Sequence, residues 1–301
     1  LRAFFFLFMT PYWHPVRPED GSIDLHLHTT HSDGRSTPQQ VVADAKCKGL
    51  RAIAITDHDT VSGISEMMAA ANEAGIECLT GIEISVHAEE HGDFHLLGYG
   101  IDPNHSGLLS LLQHQKEARL HRFEQIVAQL HALGVNITVE QVHAIAGSSQ
   151  SLGRPHIARA MLAAGDVASI DEAFERYLGR GKPAYIPKHT LSVHQAISAI
   201  TQAGGVPVLA HPGVTRKDHC IPELIKLGVQ GLEVFHSEHD AEDVRRYTRL
   251  VMKYGLIATG GSDCHGKKEH SEPLIGTVFV PYQLFSHLQA RINRYSITQK
   301  H

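Results

Sequence analysis

What most constrains this chain is an alternation. Runs rich in β-branched and aromatic residues at 23–28, 52–56, 78–85, 94–101, 206–211, 231–236 and 257–263 are each followed by a stretch of helical period. Strand and helix patterns that alternate in this way predict an α/β fold with largely parallel strands. Helix starts agree. Thr37-Pro38-Gln39-Gln40 offers an N-cap, a proline at the first helical position and a glutamine placed to close a capping box. Ser192-Val193-His194-Gln195 repeats the box ahead of the run at 206. The alternation stops between residues 104 and 187, where the chain reads as helix without strand. Leu109, Leu112, Leu120, Phe123, Val127 and Leu130 form an apolar stripe on one long helix, and shorter helices follow near 139–146, 155–164 and 171–178, the last capped by Ser169. The expected organisation is a tail over 1–21, an α/β barrel built from 22–103 and 188–301, and an all-helical insertion over 104–187.

With 301 residues, 42% of them hydrophobic, the chain can bury a sizeable core. Its formal net charge of −5 gives no footprint for broad polyanion binding, so stable binding of duplex nucleic acid is not expected. Any nucleic-acid substrate is small, or held by a local basic pocket. Cys47, Cys78, Cys220 and Cys264 are scattered without a C-x-x-C, which argues against a zinc ribbon or disulfide framework and suits a reducing cytoplasm. The apolar run at 3–9 is too short to span a bilayer and no small-x-small cleavage site follows, so the first residues read as a tail and no membrane partner is expected. The outlying figure is 24 histidines, too many all to be ligands.

Residues 24–28 read Asp-Leu-His-Leu-His. On a strand, His26 and His28 share a face with Asp24 while Leu25 and Leu27 take the other, so two imidazoles aim at one point. Alone, such a pair is better read as the wet face of a half-buried strand. The other runs change the balance. One leads into Thr56-Asp57-His58-Asp59, the next carries Glu83 and the fourth His95; beyond the insertion come His211, then Asp263 with His265. In α/β barrels functional side chains converge at the carboxyl ends of strands, and these residues are expected there. Mixed imidazole and carboxylate donors suit zinc, manganese or iron rather than calcium or magnesium alone. So many donors exceed the need of one ion and imply two or three.

In their order, D-x-H-x-H, T-D-H, G-x-E, A-H-P and G-S-D-x-H resemble the motifs of the polymerase and histidinol phosphatase (PHP) family over most of residues 22–280. The resemblance implies a distorted (β/α)7 barrel with a trinuclear metal site. By it, His26, His28, Glu83 and Asp263 would hold a first ion. Glu83 would bridge to a second held by His95 and His211, and Asp33, His58 and His265 would hold a third. H-S-D-G, T-D-H-D-T, R-G-K-P-A-Y-I-P and V-L-A-H-P-G are similar to a subgroup that acts on nucleoside 3′,5′-bisphosphates and, as 5′→3′ exoribonucleases, on short RNA. Arg154-Pro155-His156 and Lys182 match the insertion's share of that signature and are expected to bind substrate. Cys264 stands where the subgroup would have an aromatic residue, a change of packing and not of a ligand.

The resemblance thus implies a cytoplasmic phosphatase or phosphodiesterase that uses two to three divalent ions, manganese before zinc or iron. Clustered divalent ions make a nucleophile at neutral pH and offset charge on phosphoryl oxygens, which suits ester hydrolysis. The catalytic centre would be His26, His28, Glu83 and Asp263. His236, in E-V-F-H-S-E-H, is a candidate proton donor to the leaving ribose oxygen, against the plain reading of a strand-end histidine. Arg154 and Lys182 sit at joints of the insertion and are expected to fold over the metals and clamp a second phosphate; the plain alternative for Arg154 is an exposed arginine at a helix end. His114, His121, His131, His143, His194 and His287 lie on predicted helices and are expected at the surface, while His31, His87 and His91 match no ligand. Two rivals stand beside this reading: another phosphatase of the family, notably for histidinol phosphate, and a metal-bound scaffold without activity. The sequence leaves oligomeric state open.

Overall fold

The computed structural model describes residues 21–88, 90–146, 153–187, 190–266 and 272–298; the expected tail, apart from Gly21, lies outside them. The first elements are β1 (Ser22–Leu27), α1 (Pro38–Cys47), β2 (Leu50–Ile55), α2 (Ile64–Ala74), β3 (Glu77–Leu79), β4 (Gly81–Ala88) and β5 (Gly92–Tyr99). Helices follow: α3 (Ser106–Ala132), α4 (Val139–Ala146), α5 (Arg154–Ala164) and α6 (Ile170–Ala173), which widens into a π turn at Phe174–Leu178. The chain then returns to alternation with β6 (Leu191–Ser192), α7 (Val193–Gln202), β7 (Val206–Leu209), α8 (Pro212–Thr215), α9 (Ile221–Leu227), β8 (Gly231–His236), α10 (Ala241–Tyr254), β9 (Ile257–Gly261), β10 (Val280–Pro281) and α11 (Tyr282–Thr298). Both expected capping boxes form, with Thr37 accepting from Gln40 and Ser192 from Gln195.

The strands make two sheets, β10-β1-β2-β3 and β6-β4-β5-β7-β8-β9. Most pairs are parallel, as expected. The exceptions are β10 against β1 and β5 against both its neighbours. A connection over residues 89–91 is too short for a crossover, so β5 has to run back along β4. The run expected as one strand over 78–85 is two. It breaks before Gly81, where a Cβ would lie 2.6 Å from the Ile55 carbonyl oxygen, and the chain passes from the first sheet to the second. The sheets touch through isolated bridges, Leu27 with Cys264 and His58 with Glu83, but form no closed sheet among the described residues.

Two hydrophobic cores result. The larger packs between the sheets and their helices, around Ile23, Leu25, Ile53, Ile84, Leu96, Val208, Leu232 and Phe285. The smaller lies among α3 to α6, around Phe123, Ile126, Leu130, Ile157, Met161 and Leu178. Helix α3 serves both, giving Leu108 and Leu112 to the first and Phe123, Ile126, Val127 and Leu130 to the second. Leu109 and Leu120 do not belong to the buried stripe, being 41% and 43% exposed. At 3.6 residues per turn they stand roughly 60–80° round the helix from Leu112, on its flank. They line a cleft of about 500 Å³ between α3 and the loops after β1 and β2, together with Asp59, Lys116, Arg119 and His143. Among the described residues no helix is long and apolar enough to cross a membrane.

Candidate metal centre

β9 lies against β1 because residue 261 is glycine: a Cβ there would fall 2.4 Å from the His26 backbone nitrogen. This approach brings His26, His28 and Asp263 to one point, and Glu83 reaches in from β4. His28 Nε2 lies 3.0 Å from Asp263 Oδ1 and 3.3 Å from Glu83 Oε2. His26 Nε2 lies 3.4 Å and 3.3 Å from the same two oxygens. Glu83 is the hub. Its Oε1 is 2.9 Å from His95 Nδ1 and 3.1 Å from His211 Nε2, and its Oε2 is 3.1 Å from His58 Nδ1. At the outer edge Asp33 stands 3.3 Å from His265 Nε2 and 3.9 Å from both His28 Nδ1 and His58 Nε2. All nine residues expected as ligands are therefore in one cluster.

One expectation about how they get there is corrected. Glu83 and His95 do not close their strands; they lie inside β4 and β5. Ser85 pairs with His95 and Glu83 with Leu97, so in this antiparallel hairpin Glu83 and His95 are diagonal neighbours on one face.

The cluster's chemistry fits metal. His26 Nε2, both ring nitrogens of His28, His58 Nδ1, Glu83 Oε2, His211 Nδ1 and Asp263 Oδ1 are buried and make no hydrogen bond. Folded proteins seldom orphan buried polar atoms without an ion or water to satisfy them. Donor atoms gather within 4.8 Å of one another in four overlapping sets: His26, His28, Glu83 and Asp263; His28, Asp33, His58 and His265; His26, Glu233 and His236; His58, Glu83 and His95. The first set is the one expected for a first ion. The second adds His28 to the expected third-ion set. In the last, His58 takes the place expected for His211.

Burial alone would strip charge from every group here, and pairing decides which keep it. Burial works against a proton on His28, yet the nearby carboxylates of Asp263 and Glu83 outweigh it and lift the imidazole to about 9. His26 is lifted well above its ordinary value, Glu233, Glu83 and Asp263 overcoming its burial. Against burial, Glu83 is held well below the usual carboxylate range by His58, His26 and His95, and Glu233 is held down chiefly by His26. Asp33 and Asp263 are also depressed despite burial, the first by His265 and His58, the second by His26, His236 and His28. His58 moves the other way, pushed by burial down to about 4 against the pull of Glu83. Asp33, Glu83, Glu233 and Asp263 are thus four carboxylates held ionised around one point. Such a concentration of carboxylates favours divalent cations.

Several supporting residues escaped the sequence reading. Glu233, fully buried in β8, accepts from His26 Nδ1 at 2.9 Å and from the His211 backbone N–H at 2.8 Å. It fixes the tautomer of His26 and turns its Nε2 to the cluster. Asp57 accepts from the Thr29 N–H and hydroxyl at 2.7 Å and 2.6 Å and from the Ser32 hydroxyl at 2.6 Å, which shapes the loop that carries Asp33. Asp24 accepts from the Ser262 and Gly276 N–H groups at 2.9 Å and 3.1 Å and anchors the loop of Asp263. Asp59 accepts from the Ser85 N–H and pairs with Arg119 of α3, both at 3.0 Å, tying the helical region to the loop of His58. Asp59, His211 and Asp263 have positive φ of 50°, 26° and 55°. Such backbone costs on the order of 1–3 kcal/mol each and persists where the surroundings hold it.

Of the other expected residues, His236 reaches the centre, while Arg154, His156 and Lys182 belong to the helical region. His236 Nδ1 accepts from the Glu238 N–H at 3.1 Å, which leaves the proton of a neutral ring on Nε2, 3.6 Å from Asp263 Oδ2. His156, on the first turn of α5, accepts from the Gly153 N–H at 3.2 Å; burial and Arg159 lower its affinity for a proton, while Asp33 acts in the opposite sense. Arg154 donates to the Leu178 carbonyl at 3.0 Å, with its guanidinium carbon 5.3 Å from the centre of the Tyr185 ring and 5.8 Å from that of Phe174. Lys182 is exposed on the turn that follows, its N–H donating to the Gly179 carbonyl. No contact of the Arg154 or Lys182 side chain with the histidine cluster occurs among the described residues.

Comparison with known proteins agrees with this site. Residues 24–182 match the PHP domain. The chain belongs to the PHP family. It is 34% identical over 281 residues to a 3′,5′-nucleoside bisphosphate phosphatase of Chromobacterium violaceum, covering 91% of this chain and 98% of that protein. It is 34% identical over 247 residues to a 5′-3′ exoribonuclease of Haemophilus influenzae, covering 80% and 89%. A crystal structure from Bifidobacterium adolescentis, of a protein described by inference as a metal-dependent phosphoesterase, superposes with a TM-score of 0.74 at 33% identity, covering 89% of this chain and 96% of that one.

Proposed function

We propose that this PHP protein is a metal-dependent phosphoesterase that removes the 3′-phosphate of nucleoside 3′,5′-bisphosphates and degrades short 5′-phosphorylated RNA. The observation that carries the reading is the set of orphaned imidazole and carboxylate atoms gathered on Glu83. Identity to relatives named for those two activities supports the substrate class. In this reading His26, His28, Glu83 and Asp263 would hold one ion, Glu83 with His95 and His211 a second, and Asp33, His58 and His265 a third. Manganese is the metal proposed, since imidazole and carboxylate together suit it. Bound ions of this kind supply a nucleophile near neutral pH and offset charge on the phosphoryl oxygens.

The chain's own residues do the rest. Glu233 keeps the proton of His26 on Nδ1, so Nε2 stays directed at the centre. His236, with a second proton on Nδ1 in place of its contact with the Glu238 N–H, would give the Nε2 proton to the departing ribose oxygen and be left neutral. Arg154 and Lys182, with His156, receive the phosphate that is not being cleaved. The bridges between the sheet margins support reading the strands as the wall of a distorted (β/α)7 barrel formed by 22–103 and 188–301, and the separate second core supports an insertion over 104–187. The scattered thiols are those of a cytoplasmic protein.

Phosphate release by the purified, manganese-loaded protein tests this directly. A nucleoside 3′,5′-bisphosphate should lose its 3′-phosphate, and a short 5′-phosphorylated RNA should be shortened from its 5′ end. Turnover of histidinol phosphate in preference to both would overturn the substrate class.

A further inference from the structure

We propose a second metal site, apart from the Glu83 cluster, formed by His91, His219 and Cys220 with Glu223 as fourth donor, and suited to zinc. His91 lies in the hairpin between β4 and β5. His219 and Cys220 belong to a 3-10 turn, Asp218–Cys220, that leads into α9. One donor atom from each of His91, His219 and Cys220 lies within 4.8 Å of the other two. The two rings meet edge-on with centroids 5.4 Å apart, and His91 Nε2 is already 3.1 Å from Glu223 Oε2. A tetrahedral zinc at roughly 2.0–2.3 Å from nitrogen, oxygen and sulfur donors sets them about 3.3–3.8 Å apart. Side-chain rotations of about an ångström therefore close the set.

The surroundings suit an ion. Cys220 is buried and His219 exposed, so the site is closed on the thiol side and open to entry on the other. A thiolate and the Glu223 carboxylate would balance the two positive charges, the thiol giving up its proton as the metal binds. Sulfur with imidazole selects zinc or cobalt over manganese, whereas every donor of the Glu83 cluster is nitrogen or oxygen. His95 stands four residues along β5 from His91, roughly 13 Å at the rise of a strand. The ion would clip the β4–β5 hairpin to the start of α9 and leave the phosphoesterase centre to its own metals.

The test is a cobalt titration of the metal-free full-length protein, followed by the near-ultraviolet thiolate-to-cobalt charge-transfer band and by elemental analysis. The band should rise to a plateau, vanish in Cys220→Ser, where total bound cobalt should fall by about one per chain, and survive in Cys264→Ser, the control for the other buried thiol. His91→Gln and His219→Gln alter no core residue, so they decide the matter even if Cys220→Ser fails to fold. Each should weaken cobalt binding at this site by more than the roughly 10–100-fold typical of losing an outer-sphere partner. Each should leave phosphate release by the manganese-loaded protein unchanged. Absence of the band in the unaltered protein, its persistence in Cys220→Ser, or undiminished affinity in both histidine variants would overturn the proposal.

Discussion

Glu233→Gln should weaken metal binding by roughly 10–100-fold, the usual cost of losing the outer partner of a ligating histidine, or about 1.4–2.8 kcal/mol. The reason lies in two hydrogen bonds. The carboxylate accepts from His26 Nδ1 at 2.9 Å through one oxygen and from the His211 N–H at 2.8 Å through the other. Glutamine has one acceptor and one donor in the same shape. If its oxygen faces the His211 N–H, its NH2 faces His26 Nδ1. The proton of His26 must then move to Nε2, the atom aimed at Glu83 and Asp263, and that atom can no longer take a metal. With the amide reversed, NH2 meets N–H at His211, a buried clash of donors in a segment already held at φ 26°. Either orientation loses one partner. Manganese titration by calorimetry reads the loss, and activity should recover largely at saturating manganese because no donor to the ion has been removed. An unchanged manganese affinity in a folded Glu233→Gln protein would refute the role given to Glu233.

Glu83→Ala should abolish activity and remove more metal per chain than His28→Ala, since Glu83 approaches five histidines through both oxygens; elemental analysis of the two variants compares them. Arg154→Ala should slow turnover of a nucleoside 3′,5′-bisphosphate by about 1.5–3 kcal/mol, the worth of hydrogen bonds to a charged group, and leave nitrophenyl phosphate unaffected. Equal slowing of both would assign Arg154 to the fold through Leu178 and Tyr185. Because His28 without metal keeps its proton up to about 9 and His26 is raised as well, manganese must displace protons at neutral pH, so affinity should rise with pH from neutrality through about 9. Calorimetry in two buffers of different ionisation heat should detect the released protons at pH 7. The raised value of His28 in the folded chain also means that its proton stabilises the metal-free protein fully below about pH 6.5, its unfolded value. That contribution should fade as pH rises through about 9, seen as a falling melting temperature in metal-free protein.

Eight of the nine candidate ligands were legible in the sequence because each sits in or just after a strand's apolar run, where a lone histidine or acid stands out, and because the alternation of runs and helices brings those places together, whereas Asp33, on the loop after β1, came only from the family resemblance. Where side chains lie along a strand was less legible. Glu83 was expected to close one strand over 78–85, but the crossing at Gly81 depends on the approach of the Ile55 carbonyl, a tertiary contact that no local pattern carries. Glu233 was missed since a single acid within Gly231–His236 looks like an exposed position until β7 and β1 are seen to bury it. Asp57 stood in a motif read for His58, and its role appears only with the fold of the loop at Thr29 and Ser32. The stripe on α3 was read correctly in period and too widely in extent, because only the packing of two cores separates Leu112 from the flanking Leu109 and Leu120.

The most direct measurement is the rate of phosphate release from a nucleoside 3′,5′-bisphosphate against manganese bound per chain, starting from chelator-stripped protein. Activity should be absent without metal and appear as two to three ions fill the cluster around Glu83. Glu83→Ala, folded by circular dichroism, should stay inactive at every manganese concentration. Full activity in protein that elemental analysis shows to be free of metal would contradict a metal-dependent phosphoesterase.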